Sequence, residues 1–232
     1  MLMRAALAAG GVAAAAWAVR GRSSQVFAPS VWRGPRDAAA VALTFDDGPG
    51  AGTPRLLEIL AEHGARATFF QIGANVERLP EVARAVREAG HEIGNHSHTH
   101  PCFHMLGPRG IESELARAQE TIAAATGARP RFVRAPYGVR WFGLRAAQRR
   151  LGLTGVMWTV IGLDWKHPAH VVARRVLNGL ANGAIVCLHD GRGLDPAAGI
   201  ANTLDAARRI LPEIRARGLK LVTLSQLLCP TH

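Results

Sequence analysis

The chain of 232 residues contains 48% hydrophobic and 19% charged residues, which excludes a disordered protein and fits one domain with a sizeable core. No apolar run reaches the roughly 20 residues of a strong transmembrane helix, so a multi-span membrane protein is excluded, and three cysteines are too few for a disulfide-rich scaffold. The net charge of +11, with a pI near 11.3, raises nucleic acid, anionic lipid and acidic polymers as classes of partner.

Residues 1–18 have the features of a secretory signal peptide. Arg4 precedes an uncharged stretch rich in Ala and Gly, and Ala16-Trp17-Ala18 offers a small-residue cleavage site. The alternative is an uncleaved N-terminal anchor, which would associate the protein with a membrane. Both interpretations place the rest of the chain outside the cytoplasm. Residues 19–36, with their Pro and Gly residues, predict a linker that leads into a domain over residues 37–232.

Strand and helix patterns alternate from residue 37 onward. Short apolar runs predict strands, and apolar residues at helical spacing predict helices between them. This alternation indicates an α/β fold of parallel β-α-β units, and about seven strands fit a barrel somewhat short of the eight-stranded type. The predicted strands cover 39–45, 66–72, 91–95, 131–134, 154–160, 184–189 and 220–223, and the predicted helices cover 54–63, 80–89, 110–126, 144–151, 169–180 and 200–217.

Polar side chains follow the predicted strands at their carboxyl ends. These ends form the active-site face of parallel α/β folds, so we expect the side chains to converge although they are far apart in sequence. In chain order they are Asp46, Asp47, His96, His98, His100, Arg134, Asp164, Trp165 and His189.

Two imidazoles and one carboxylate form a ligand set suited to Zn²⁺ or a similar divalent ion. His96 and His100 are four residues apart and can face one side of a turn, and one carboxylate of Asp46-Asp47 can complete the set. The metal would lower the pKa of a water, the other carboxylate would take its proton, and His189 is the natural acid for the leaving group. Taken alone, each string also fits a turn or a solvated loop. Their coincidence at strand ends favours a metal-dependent hydrolase.

The chain from residue 39 to residue 228 resembles the polysaccharide deacetylase family, carbohydrate esterase family 4, which includes chitin, peptidoglycan and nodulation-factor deacetylases. The string TFDDGP at 44–49 matches the first family motif without a change, and HSHTH at 96–100 matches the second. The strings RAPY at 134–137, DW at 164–165 and LH at 188–189 resemble the remaining three motifs.

The resemblance implies a distorted (β/α) barrel and removal of N-acetyl groups from GlcNAc-type residues of a glycan, with release of acetate. It implies a divalent metal, with Zn favoured over Co or Ni. By residue, it implies Asp46 as general base, Arg134 as the partner of Asp46, Asp47, His96 and His100 as metal ligands, His189 as general acid and Asp164 as the residue that orients His189. It also implies substrate contacts from Pro136 and from Tyr137, whose backbone N–H would stabilise the oxyanion, and from Trp165 and Leu188 around the acetyl methyl group.

One position departs from the family pattern. Ile161 stands where the fourth motif usually has an acidic residue, three positions before Asp164. This departure keeps open an alternative function, a catalytically weak or silent metal-containing protein that binds a glycan in the same cleft. The sequence has no recognisable nucleic-acid-binding motif, so we expect no nucleic acid as partner. We expect a glycan as partner, and we expect a monomer.

Overall fold

A computed structural model describes residues 2–229. Met1 and residues 230–232, the outermost parts of the predicted N-terminal segment and of the predicted domain, lie outside the described residues. The strands are β1 (Ser30–Val31), β2 (Ala40–Asp46), β3 (Ala67–Gln71), β4 (Glu92–Asn95), β5 (Phe132–Val133), β6 (Thr154–Val156), β7 (Val160–Ile161), β8 (Ile185–His189) and β9 (Lys220–Leu221). The helices are α1 (Leu2–Arg20), α2 (Thr53–Glu62), α3 (Gly73–Arg78), α4 (Pro80–Glu88), α5 (Pro108–Thr126), α6 (Leu144–Leu151), α7 (Ala169–Gly179), α8 (Ala201–Ala216) and α9 (Leu224–Leu228).

The strands pair in parallel in the order β1-β6-β5-β4-β3-β2-β8-β7, and β9 pairs with β2 beside this row. The predicted α/β fold of parallel strands is confirmed, with eight strands in the row where the sequence indicated about seven. The predicted strand over 154–160 is divided into β6 and β7, which lie six places apart in the row.

That division shows how strongly the sheet curls. Six strand spacings in a flat sheet span about 29 Å, whereas the four residue steps from Val156 to Val160 reach at most about 14 Å. The row must therefore bend round until its ends approach. Thr159 bridges the two ends: its Oγ1 donates to Trp32 O beside β1 (2.8 Å), and its backbone N–H donates to Ile185 O of β8 (2.8 Å), which gives the distorted (β/α) barrel.

The central strand β2 positions the site. Its sequence AVALTFD is almost continuously apolar and is buried along its length, as expected for a strand covered on both faces. It pairs with β3 on one side and β8 on the other, and its last residue, Asp46, lies in register with Phe70 and His189. The pairing therefore brings the ends of β2 and β8 side by side.

Helices pack against the outside of the curled sheet. The largest apolar cluster joins outward side chains of β2, β3 and β8 to α2, α7 and α8, and includes Phe45, Phe69, Leu188, Leu56 and Ile210, all fully buried. This layer leaves the carboxyl ends of the strands open as a cleft.

The stretch predicted as a linker is largely part of the folded domain. Ser30–Val31 forms the edge strand β1, and Ala28 is fully buried in a core cluster. Arg140, itself buried, donates hydrogen bonds from its guanidinium to Gly21 O and Ser24 O. The apolar residues of this stretch are too widely spaced to give a periodic signal, so the sequence did not indicate their burial.

The N-terminal stretch predicted as a signal or anchor forms α1. Val12 and Trp17 on this helix are largely exposed. Within the part of the chain that the structure describes, no helix combines the length and the hydropathy needed to cross a bilayer.

Candidate active site

The loop after β2 presents two consecutive carboxylates to the cleft. Asp46 ends the strand, and Asp47 adopts a left-handed backbone conformation with φ of 73°. At the next position, the β-carbon of any larger residue would overlap the buried carboxylate of Asp190, so only Gly48 fits there. Asp190 accepts a hydrogen bond from Thr53 Oγ1 (2.6 Å), and burial raises its pKa to about 7. Asp46 and Asp47 point in different directions, because the backbone turns at Asp47 and the turn is tightly packed.

Asp47, His96 and His100 form one cluster. Asp47 Oδ1 lies 3.3 Å from His96 Nε2 and 3.1 Å from His100 Nε2. The other oxygen of Asp47 accepts a hydrogen bond from Gly193 N (3.0 Å), which fixes the carboxylate. In the absence of a metal, burial would raise the pKa of Asp47, but hydrogen bonds donated by protonated His100 and His96 hold that pKa well below its ordinary range.

The hydrogen bonding of His96 indicates a cation in this cluster. His96 Nδ1 lies 2.8 Å from Arg134 O, and because a carbonyl only accepts, Nδ1 carries the proton. In a neutral imidazole Nε2 then has its lone pair directed at Asp47 Oδ1, another acceptor. A positive ion between the two atoms resolves this conflict, and a backbone carbonyl behind Nδ1 is the usual support of a metal-ligating histidine. The residues present therefore fit a divalent metal.

Asp46 has a different partner. Arg134 Nη1 donates to Asp46 Oδ1 at 2.7 Å and to Thr44 Oγ1 at 2.7 Å, and both side chains of the ion pair are buried. The Arg134 guanidinium also donates to Met157 O (3.1 Å), so its position is fixed. Asp46 Oδ2 is left facing the cavity, 4.0 Å from His96 Nε2. This carboxylate is oriented for proton transfer beside the cluster.

His189 lies beside Asp46 in the cavity wall, at the end of the neighbouring strand β8. Its Nδ1 lies 3.0 Å from Asp164 Oδ1, and its backbone N–H donates to Asp164 Oδ2 (3.0 Å). Burial would lower the pKa of His189, but the hydrogen bond and charge of Asp164, with smaller contributions from Asp46 and Asp47, outweigh burial and raise it. The raised pKa favours an imidazolium that can donate a proton from Nε2.

Asp164 is itself held by a residue that the sequence did not indicate. Thr203 at the start of α8 donates from Oγ1 to Asp164 Oδ2 at 2.6 Å. Burial acts to raise the pKa of Asp164, and the hydrogen bonds from His189 and Thr203 keep it below its ordinary value. The Asp164–His189 pair is thus complete although Ile161 replaces the acidic residue of the family motif.

A second group of potential ligands, Asp46, Cys187 and His189, lies beside the first. Cys187 Sγ approaches Asp46 Oδ2 at 3.5 Å. Burial, with the charge of Asp46, raises the pKa of the Cys187 thiol well above its ordinary value. Cys187 therefore stays a neutral thiol, which suits its predicted place in the core better than metal binding.

These groups open into one cavity of about 600 Å³. Tyr137 and Trp165 line it and are 58% and 46% exposed, so both can contact a ligand. The ring of Trp165 lies edge-on to His189, with centroids 4.6 Å apart. Further lining residues, not anticipated from the sequence, are Arg20, Trp158, Leu163 and Arg192.

Two of the predicted substrate contacts do not reach the cavity. Leu188 is fully buried in the outer core, because side chains alternate along β8 and those of Cys187 and His189 take the inner face. Pro136 is buried in the short turn before Tyr137 and is not among the lining residues. Ile161 does line the cavity, where it gives an apolar wall.

His98 lies apart from the cluster that holds its neighbours. Its Nε2 is 3.6 Å from Glu77, and its backbone N–H donates to Glu114 (3.0 Å). The left-handed conformations of Ser97 and His100, with φ of 64° and 56°, turn alternate histidines to opposite sides. The structure thus brings His96 and His100 together and directs His98 away, as expected from the sequence.

A family model described as polysaccharide deacetylase matches residues 33–156. The chain is 37% identical over 197 residues to a chitooligosaccharide deacetylase of Bradyrhizobium, covering 81% of this chain and 90% of the relative. It is 32% identical over 199 residues to a peptidoglycan-N-acetylglucosamine deacetylase of Bacillus cereus, covering 82% and 69% of the two chains.

Solved structures with the same fold include both active and inactive relatives. A peptidoglycan N-acetylglucosamine deacetylase in complex with a hydroxamate-type benzamide superposes with a TM-score of 0.81 at 30% identity, covering 86% of this chain and 92% of that one. A family 4 carbohydrate esterase from Streptomyces lividans in complex with acetate gives 0.72 at 37% identity, with coverage of 80% and 92%. A pseudoenzyme of that family from Bacillus anthracis gives 0.78 at 29% identity, with coverage of 88% and 70%.

Proposed function

Because the chain belongs to the polysaccharide deacetylase family, we propose that it is a metal-dependent hydrolase that removes N-acetyl groups from GlcNAc-type residues of a glycan. The observation that carries this proposal is the placement of an oriented carboxylate, Asp46, beside the Asp47–His96–His100 cluster and next to the supported acid His189. The products would be acetate and a free amino sugar.

Asp47, His96 and His100 would hold the metal. A divalent ion bound there, with Zn²⁺ favoured by its two imidazoles and one carboxylate, would supply the Lewis acidity that activates a water and polarises the acetyl carbonyl. Two imidazoles and a carboxylate leave open positions for water and substrate, unlike the closed set of a structural zinc site.

The chain's own residues carry the proton transfers. Asp46, held through Oδ1 by Arg134, accepts the proton of the attacking water at Oδ2. His189, oriented by Asp164 at Nδ1, donates a proton from Nε2 to the departing amine. The backbone N–H of Tyr137 stabilises the developing oxyanion, and Trp165 confines the acetyl group. Asp46 and His189 lie at the ends of adjacent strands, and each makes a separate proton transfer.

The protein would act outside the cytoplasm, on a chitin-like or peptidoglycan-like polymer. The signal-like pattern of residues 1–18 supports this location, and the names of the two relatives support this substrate class. The alternative is a silent glycan-binding protein. The B. anthracis pseudoenzyme supports this alternative, because it has the same fold.

The substitution Asp46→Asn separates the two functions. Asn keeps the shape of the side chain but cannot accept the proton, so we expect acetate release from N-acetylglucosamine oligomers to fall at least about a hundredfold. Bound metal, measured by elemental analysis of the same sample, should stay at the wild-type level because Asp46 is not a ligand. If the wild-type protein and the Asp46→Asn variant bind the oligomer equally and neither releases acetate, the protein is a binder.

A further inference from the structure

Two arginines line the catalytic cavity without a part in the proposed reaction. Arg20, the last residue of α1, and Arg192, in the loop after β8, both border it together with Asp46 and His189. The buried Arg134 is different, because its charge is matched by Asp46. The proposed reaction therefore does not explain why Arg20 and Arg192 border the cavity.

Arg20 has no carboxylate partner among residues 2–229. Its side chain is exposed, and the ion pairs near the cavity join Arg134 to Asp46 and Arg192 to Asp164. Arg192 is only loosely paired, with its Nη1 3.9 Å from an Asp164 oxygen that already accepts hydrogen bonds from Thr203 and His189. Both guanidinium groups thus retain donors for a ligand.

The position of Arg20 is fixed by Arg140. The backbone N–H of Arg140 donates to Val19 O (3.2 Å), and its guanidinium donates to Gly21 O and to Ser24 O (2.6 Å). These bonds hold the chain on both sides of Arg20 against the barrel. They begin at Val19, directly after the predicted cleavage site, so they would remain if residues 1–18 were removed, whereas the bonds from Gly21 N to Trp17 O and from Ser24 Oγ to Ala18 O would be lost.

The charge at the cavity mouth does not suit a neutral substrate. Within the cavity, Arg134 balances Asp46, His189 balances Asp164, and a divalent metal would more than balance Asp47, so the two arginines add to an excess of positive charge. A guanidinium matches a carboxylate through two parallel hydrogen bonds. An uncharged N-acetyl sugar offers no such group.

We propose that Arg20 and Arg192 form a subsite for a carboxylate carried by the sugar next to the one that is deacetylated. The substrate class is then an acidic N-acetylated glycan, and a neutral chitin-like chain is the poorer substrate. This inference rests on the proposed deacetylase function and adds its substrate preference.

The test compares one oligosaccharide in two forms. The metal-loaded full chain is given an oligosaccharide of alternating N-acetylglucosamine and N-acetylmuramic acid, either with free carboxylates or as the methyl ester, and kcat/KM is measured from acetate release. The wild type should prefer the free acid. Arg20→Gln should lower the acid-to-ester ratio about fivefold, the upper range for a solvent-exposed ion pair.

Arg84→Gln is the matched control. Arg84 is exposed on α4, so this change removes the same charge away from the cavity and should leave the ratio at its wild-type value. Equal kcat/KM for acid and ester in the wild type would overturn the subsite. An Arg20→Gln variant that loses activity equally on both forms would also overturn it, since Arg20 would then only shape the cavity.

A binding measurement separates this inference from the proposed function. Calorimetry with the Asp46→Asn protein compares the affinities of the acid and the ester without turnover. A preference for the acid that is lost on adding Arg20→Gln supports the subsite even if no acetate is released. Equal affinities in a protein that does release acetate would reject the subsite and keep the deacetylase.

Discussion

At the scale of single residues, the pairing of His189 with Asp164 would determine the pH range of the proposed activity. The buried carboxylate raises the pKa of His189, so the imidazolium needed to protonate the amine persists to higher pH than in a free histidine. As pH rises through this raised pKa, the acid is lost and kcat should fall.

Asp164→Asn tests this assignment. Burial, which lowers the pKa of His189, remains in this variant, whereas the hydrogen bond with residue 164 is weakened and its charge is lost, and both of these raise that pKa in the wild type. We expect the alkaline limb of the kcat profile to move to lower pH, together with a lower maximal rate. Thr203→Val, which removes the hydroxyl beside Asp164 but keeps its charge, should move the limb less. An alkaline limb that stays in place in Asp164→Asn would mean that another group is the acid.

The sequence indicates the residues with distinctive chemistry, together with their partners Arg134 and Asp164, but not the more distant support from Thr203. Asp47, His96 and His100 stand in short strings of unusual composition, so they could be singled out without a structure. Thr203 lies 39 residues from Asp164 in sequence, and a lone threonine at a helix start carries no signal of its own. The prediction that Leu188 lines the acetyl pocket ignored the alternation of side chains along β8, which a strand assignment alone could have corrected.

At the scale of secondary-structure elements, the segment between α1 and β2 is bound to the barrel through Arg140. Its guanidinium is buried, and desolvation lowers its pKa, so the carbonyls of Gly21 and Ser24 compensate for lost water. The sequence predicted a linker here because Pro and Gly dominate the pattern. The contacts that fold it involve residues more than 100 positions away, which local patterns do not reveal.

Arg140→Met should weaken this attachment. The apolar side chain leaves two carbonyls without their donors, so we expect the free energy of unfolding to fall by about 2 kcal/mol, measured in urea. Arg149→Met on the exposed side of α6 is the control and should change the stability little. Equal stability of the two variants would show that residues 19–24 contribute nothing to the folded domain.

At the scale of the whole molecule, the barrel explains why distant motifs form one site. Strands β2, β4, β5 and β8 are neighbours or near neighbours in the parallel row, and each delivers its functional residue at its carboxyl end. The alternation of strands and helices was enough to predict this arrangement and the barrel. It did not reveal β1 and β7 as separate edge strands, because they have only two residues each and give no periodic pattern.

The fold also shows where the positive charges of the chain lie. Most arginines lie on outer helices, whereas Arg134 pairs with the buried Asp46, Arg140 fixes the N-terminal segment, and Arg20 and Arg192 border the cavity. A basic protein with these features suits an anionic cell-wall polymer better than nucleic acid, for which the chain shows no recognition motif.

Acetate release by the purified chain from N-acetylated glycans, measured before and after removal of metal, tests the proposed function. We expect that the protein loaded with Zn²⁺, Co²⁺ or Ni²⁺ releases acetate from peptidoglycan or chitooligosaccharides, that a chelator abolishes the release, and that added metal restores it. Release that is unaffected by the chelator, with elemental analysis showing the metal gone, would contradict metal dependence. No acetate from any of these glycans with any of the three metals would contradict the deacetylase itself.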